Sequence, residues 1–295
     1  MSSDQDIATR IMLDLESMSK SQQKVARFIL DQGQDVIQLS ATRIAELLEV
    51  DRSTVVRTAQ ALGYTGFLEM RSALQAELSK RISLADRLRV GGQQLREDLK
   101  EAPTNDGAGA VLYSMIQTEI HHLENLLYHV PVDDMEKAVD WLDEADHIYV
   151  LGLRVSYAVA TNFGMLLRYI RENVHTLNPG SHLVEELEAF SPRDVLFVIS
   201  SSRHEQDTLR CMDYARHIGA KVIAVTDNLL GPVGSRADLV FLIPSRLWAV
   251  GHSLDTFALL NALWGTLFLR HQDSVEERLK HMDAMYSHFH IFDHD

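Results

Sequence analysis

Five short apolar runs in the second half of the chain constrain its fold more than any other feature. HIYVLGL at 147–153, NVHTL at 173–177, DVLFVIS at 194–200, KVIAVTD at 221–227 and DLVFLIP at 238–244 are dominated by Val, Ile and Leu. Most lack the polar alternation of a strand with one wet face, so they read as strands covered on both sides. Helical stretches such as 155–171 and 205–219 separate them. Strands alternating with helices pair in parallel, and right-handed crossovers then give a doubly wound α/β domain with a five-stranded parallel sheet. Ligands of such sheets bind beyond the carboxyl ends of the strands.

Two of those ends carry polar chemistry. The first run leads into Gly152-Leu153-Arg154-Val155-Ser156 and the third into Ser200-Ser201-Ser202-Arg203-His204-Glu205, each just before a helix. The start of a helix offers free backbone amides to an anion, and neighbouring hydroxyls can complete the cradle. Three consecutive serines beyond a buried strand are hard to assign to packing. Serines also serve as plain caps and turns, and that reading stands beside the ligand-binding one.

The first third of the chain has a different pattern. In LSATRIAELLEVDRSTVVRTAQALGYTGFL at 39–68, Ile44, Ala45, Leu47 and Leu48 recur at helical spacing, and Val55, Ala59 and Leu62 do so again after a break at Glu49, Val50 and Asp51. Two short helices joined by a tight turn form a helix-turn-helix, with Asp51 as the expected N-cap of the second helix. At about 100° per residue, setting Val55, Ala59 and Leu62 inward turns Ser53, Arg57 and Gln60 outward, with Arg52 and Thr54 near the helix start. Together with Arg43 these are the candidate DNA contacts, since guanidinium, amide and hydroxyl groups read base edges or hold phosphates. An ordinary helical hairpin with a solvated face is the alternative. Upstream, Ser19-Lys20-Ser21-Gln22 fits a capping box ahead of a helix that buries Val25, Phe28 and Ile29, and Gly63 is the expected end of the second helix.

A formal net charge of -14 opposes DNA binding until it is divided along the chain. Residues 1–90 hold 12 Lys plus Arg against 12 Asp plus Glu, so all the excess acid lies beyond them. A near-neutral head can bind phosphate through a local cluster of Arg43, Arg52, Arg57 and Arg71 while an acidic body suppresses nonspecific adhesion. APTNDGAGA at 102–110 is rich in turn formers. The expected organisation is therefore α+α/β with two domains: an all-helical head at 1–82, a linker at 83–110, an α/β domain at 111–272 and a C-terminal helix at 273–295. In that tail Val275, Leu279, Met282 and Tyr286 share one stripe, which predicts docking rather than a free helix.

Taken together, these residues resemble the RpiR/MurR family of bacterial transcription regulators, in which a helix-turn-helix precedes a sugar isomerase (SIS) domain. STVVRTAQALGYTGFLEMRSAL at 53–74 matches a family pattern close to STVxRxxxxLGYxGFxE, although Glu49 stands where a Gly is usual in the turn. GLRVS corresponds to the SIS pattern GxGxS and SSSRHE to SxSGxT, with Arg154, Arg203 and Glu205 replacing two glycines and a threonine. The resemblance implies an effector site at Arg154, Ser156, Ser200, Ser202, Arg203 and Glu205, taking a sugar phosphate or another anionic sugar derivative. It implies operator DNA as partner, a homodimer or homotetramer and no cofactor. The longest apolar stretch, FALLNALWGTLFL at 257–269, is interrupted by Asn261, Gly265 and Thr266 and falls short of a membrane span, and no basic, apolar-cored signal peptide opens the chain, so no membrane association and a cytoplasmic location are expected. A pocket altered or emptied by the arginines is the competing expectation, and Glu205 would repel phosphate unless it pairs with one of them or receives a sugar hydroxyl.

Other constellations are weaker. Cys211, the single cysteine, sits in a helical pattern and reads as a small buried apolar residue. His121, His122, His281, His288, His290 and His294 lack metal-ligand spacing. SIS domains also occur in enzymes that isomerise aminosugar phosphates, for which Glu185, Glu186 and Glu205 are the candidate bases, but no supported acid-base pair is visible and no catalytic residue is expected.

Overall fold

Each of the five apolar runs is a strand in the computed structural model, which describes residues 7–292 apart from positions 32, 34, 35, 37, 38, 82, 83, 102–106, 179, 181, 202, 203, 230 and 244–253. The strands are β1 (Ile148–Leu151), β2 (Val174–Thr176), β3 (Val195–Ile199), β4 (Lys221–Thr226) and β5 (Leu239–Leu242). All neighbours pair in parallel in the order β2-β1-β3-β4-β5. Every residue of β1 and β3 is buried, which is why these runs carry no alternation. Alternate side chains instead feed two separate cores.

One core collects Ile148, Val150, Phe197 and Ile223 from the sheet. It packs them under α8 (Val132–Glu144), α9 (Val155–Ile170) and α12 (Leu254–Arg270). The other face presents Tyr149, Leu196, Val198 and Val222 to Cys211, Met212 and Ala215 of α11 (Gln206–Ile218). Helices on both faces make the sheet doubly wound, as expected. The short α10 (Leu183–Glu186) follows β2. Gly164 packs closely on Thr176 of β2, whose hydroxyl a Cβ there would displace. At the opposite end of the strands the fully buried Asp194 ties β1 to β3, accepting from the His147 amide at 3.0 Å and the Ser191 amide at 2.6 Å.

The head contains α1 (Ile7–Asp14), α2 (Lys20–Asp31), α3 (Ala41–Leu47), α4 (Arg52–Ala61) and α5 (Phe67–Arg81), gathered around Ile11, Val25, Ile29, Ile44, Val55, Ala59, Phe67 and Met70. The capping box is present: the Ser19 amide donates to Gln22 Oε1 at 3.1 Å and the Gln22 amide to Ser19 Oγ at 3.4 Å. Phe28 is only partly buried at the edge of this core. Asp51 occupies the cap position of α4, but its side chain makes no capping hydrogen bond; the Thr54 amide bonds the Asp51 carbonyl at 2.8 Å instead. Its role there is backbone geometry, not side-chain capping.

Between head and sheet, α6 (Leu84–Asp98) and α7 (Gly107–His129) are helical. Leu84–Asp98 thus lies within the stretch read as linker. The tail forms α13 (Gln272–His288), in which Val275 is buried and Arg278, Leu279, Met282 and Tyr286 are half-buried, on a helix packed toward α9 and α12.

Candidate effector pocket and DNA-reading face

The carboxyl end of β1 turns sharply into α9. A Cβ on Gly152 would lie 2.5 Å from the Ser156 carbonyl oxygen and 2.8 Å from Ala160 Cβ, so only glycine lets the strand end meet the helix start. Arg154 precedes α9 with φ 54 and ψ -121, a backbone conformation that favours glycine. Its side chain is exposed. Ser156, in the first turn of α9, is 5% exposed.

The end of β3 supplies the second wall. Ser200 is buried, and its Oγ lies 2.9 Å from Nδ1 of His204. Burial pulls the His204 imidazole below its ordinary 6.5, while Asp227, 2% exposed at the end of β4, partly offsets this. Glu205 precedes α11 and accepts from Arg154 Nη1 at 3.3 Å, so two of the three substituted positions are joined in an ion pair between the β1 and β3 ends. Arg154 is exposed and Glu205 partly so, which keeps the pair weak. The expected members Ser202 and Arg203 lie outside the described residues. His204 and Asp227 are the site residues that motif reasoning passed over. The only signal for His204 was its place inside SSSRHE.

Of the candidate bases, Glu186 has both carboxylate oxygens engaged by Asn178, from its amide at 3.0 Å and its Nδ2 at 3.2 Å. Asn178 Oδ1 in turn accepts from the Tyr157 hydroxyl at 2.6 Å. This network holds the loop after β2 against α9. Glu205 is paired with Arg154, and Glu185 lies in the short helix α10 beside Glu186. The Cys211 thiol is buried and pushed up to about 11, which removes it as a nucleophile.

On the head, α4 exposes Arg52, Ser53, Arg57 and Gln60, with Thr54 half-buried and its carbonyl accepting from the Thr58 hydroxyl at 2.8 Å. Arg43 is exposed in α3 and paired with Glu46 at 3.0 Å. Arg71 does not join this face: it is 6% exposed and its Nη1 lies 3.5 Å from the Leu39 carbonyl. Burial lowers its pKa, so the arginine counted in the basic cluster is a structural one.

The residues after α4 explain the motif GYTGFLE. Gly63 takes φ 86, its amide bonds the Gln60 carbonyl at 2.9 Å and the Tyr64 amide bonds Ala59 at 3.1 Å, which closes the helix. Glu69 then accepts from the Thr65 hydroxyl at 2.6 Å, and Phe67 enters the core. The signature specifies how the reading helix is held.

The fold and these two sites define a two-domain transcription regulator that joins a DNA-binding helix-turn-helix to a sugar-isomerase-type domain. Residues 5–81 match the helix-turn-helix domain of the rpiR family and residues 142–267 match the SIS domain. The chain belongs to the RpiR family of regulators. It is 25% identical to the HTH-type transcriptional regulator YfhH of Escherichia coli strain K12 over 292 residues, covering 94% of this chain and 96% of that one. A Haemophilus influenzae HTH-type regulator is 25% identical over 228 residues, 77% of this chain and 76% of the relative. Among solved structures, the sugar isomerase domain of an RpiR transcription factor from Sphaerobacter thermophilus is 27% identical with TM-score 0.54, covering 58% of this chain and 97% of that one. The Vibrio vulnificus NanR protein, complexed with ManNAc-6P, shares the fold over 96% of this chain and 99% of its own at 17% identity and TM-score 0.55. No helix among the described residues is long and apolar enough to cross a membrane.

Proposed function

We propose that this regulator senses an anionic sugar derivative, with a sugar phosphate as the first candidate, at the carboxyl ends of β1 and β3, and that occupancy changes its affinity for operator DNA. The observation that carries this reading is the pair of buried hydroxyls, Ser156 and Ser200, at two adjacent strand ends beneath the Arg154–Glu205 bridge. Buried hydroxyls beside helix starts suit the oxygens of a phosphate or carboxylate. The bridge answers the electrostatic objection to Glu205, since its charge is met by Arg154 before any anion arrives.

Operator contacts are assigned to Arg43, Arg52, Ser53, Thr54, Arg57 and Gln60. A palindromic operator is read by two heads, so the assembly is a homodimer or a homotetramer, placed with its DNA in the cytoplasm. Coupling requires that the effector bind one arrangement of the heads more tightly than another. A thermal-shift panel of sugar phosphates, including ManNAc-6P, with sugar acids and neutral sugars tests the pocket. Stabilisation by at least one anionic member and by none of the neutral ones is expected. Stabilisation by neutral sugars alone, or by none, overturns the reading.

A further inference from the structure

We propose that His204 is an anion-binding residue of this pocket and that its imidazole takes up one proton from solvent when the anionic effector binds, releasing it when the effector leaves. The inference rests on the effector reading above and deepens it.

The geometry begins with Ser200. A hydroxyl has one hydrogen, and the Ser200 Oγ lies 2.9 Å from Nδ1 of His204. With the imidazole neutral and its proton assigned to Nε2, Nδ1 accepts that hydrogen, and Ser200 presents only lone pairs to an incoming anion. With the imidazole protonated, Nδ1–H donates to Ser200 Oγ instead. The hydroxyl hydrogen is then free to turn toward the anion, and a positive charge stands behind it. One proton therefore converts Ser200 from an acceptor into a donor.

The surrounding charges set when this happens. His204 lies between the end of β3 and the start of α11; the charged groups on these elements are Asp227 at the end of β4, the Arg154–Glu205 pair at the two helix starts, and Asp207 in the first turn of α11, itself paired with Arg210. Burial opposes the imidazolium and Asp227 favours it; the positive end of α11 also opposes it. Glu205 is already met by Arg154. Burial keeps the ring neutral while the pocket is empty. An arriving anion supplies the missing negative charge beside the ring and draws the proton in. Arg or Lys could not switch in this way near neutral pH, whereas histidine can.

The test uses the full-length protein and inorganic sulfate, which carries the same charge from about pH 5 to about pH 8 and so contributes no titration of its own. Sulfate stabilisation is read by thermal shift in wild type, His204→Gln and His204→Asn, the common salt effect on stability being subtracted for each protein through sodium chloride at matched ionic strength. Proton uptake by wild type on binding is counted by calorimetry in two buffers of different ionisation heat. The expected result is sulfate affinity that falls by up to about tenfold per pH unit above the His204 pKa, with close to one proton taken up where the empty site is neutral, and a flat profile in both variants. Sulfate binding that is pH-independent in wild type, or equally pH-dependent in the variants, overturns the role of His204 and leaves the anionic pocket standing. Absence of binding by sulfate and by every anion of the sugar panel at both ends of the range overturns the pocket, and this inference with it.

Discussion

The side-chain amide of Asn228, two residues beyond β4, donates to the backbone carbonyl of Ser72 in α5 at 3.1 Å, and both residues are buried. One hydrogen bond thus spans 156 residues of sequence and joins the strand ends of the sheet to the helix that supports the reading helix α4. Asp227, the neighbour of Asn228, acts electrostatically on His204. The linker at 83–110 is therefore not the sole physical connection between pocket and head.

Asn228→Ala should loosen the head without unfolding the sheet. A buried hydrogen bond contributes about 1 kcal/mol, and up to about 3 when a partner is stranded. Amide exchange at 67–74 is expected to rise about 5- to 150-fold, the factors that about 1 and about 3 kcal/mol represent, while protection in β3 and β4 stays as in wild type. Equal exchange at 67–74 in both proteins removes Asn228 from the connection.

Glu49 and Arg154 both hold positive φ, 51 and 54. A non-glycine residue there costs about 1 to 2 kcal/mol. Glu49→Gly and Arg154→Gly should each stabilise the chain by about 1 kcal/mol, read as a Tm increase of about 2–4 °C. The loss of the exposed Arg154–Glu205 bridge subtracts little from the second gain. A lower Tm in both variants would show that the turns are not strained.

Acid should weaken the empty protein through His204. Its folded pKa lies below the ordinary 6.5, so the unfolded chain binds more protons in the window beneath that value. Stability is then fully present above about pH 6.5 and falls as pH drops toward the folded pKa. His175, lowered in the same direction by its own burial, adds to the slope. Urea unfolding of His204→Gln between about pH 5 and 7 should show a shallower decline than wild type, and a steeper one contradicts the assignment.

Two arginines of the head should behave oppositely. Arg57→Ala is expected to cost about 1–3 kcal/mol of specific operator binding with no change in Tm, because Arg57 is exposed on α4. Arg71→Ala should lower the Tm of the head, because its guanidinium is buried against the Leu39 carbonyl. Filter-binding titrations and melting curves of the two variants separate these roles.

Much of this was legible in the sequence because burial writes itself into composition. The five strands appear as apolar runs since both sheet faces are covered, and the Ser19 and Gln22 pair appears since a capping box is local. Glu49 and Arg154 were visible as departures from patterns that hold glycine, and both take positive φ. Longer-range electrostatics left no such trace. Arg71 looks like Arg57 in sequence, and only packing shows that it is buried. His204 and Asn228 matter through partners on other strands or in the other domain, which no spacing rule brings together. Asp51 sits at its expected cap position while the bond is made by its backbone, a distinction that residue type alone does not carry.

The central claim, that an anion at the β1 and β3 ends governs DNA binding by α4, is tested most directly by titration. Genomic fragments retained by the full-length protein are selected, and the affinity for the best of them is measured with and without each member of the sugar panel. One anionic sugar derivative is expected to change that affinity by about 5- to 150-fold, the range of ordinary allosteric coupling, and Ser200→Ala is expected to abolish the change while leaving the affinity without effector intact. An operator affinity unmoved by every anionic member, or a response that survives in Ser200→Ala, contradicts the claim.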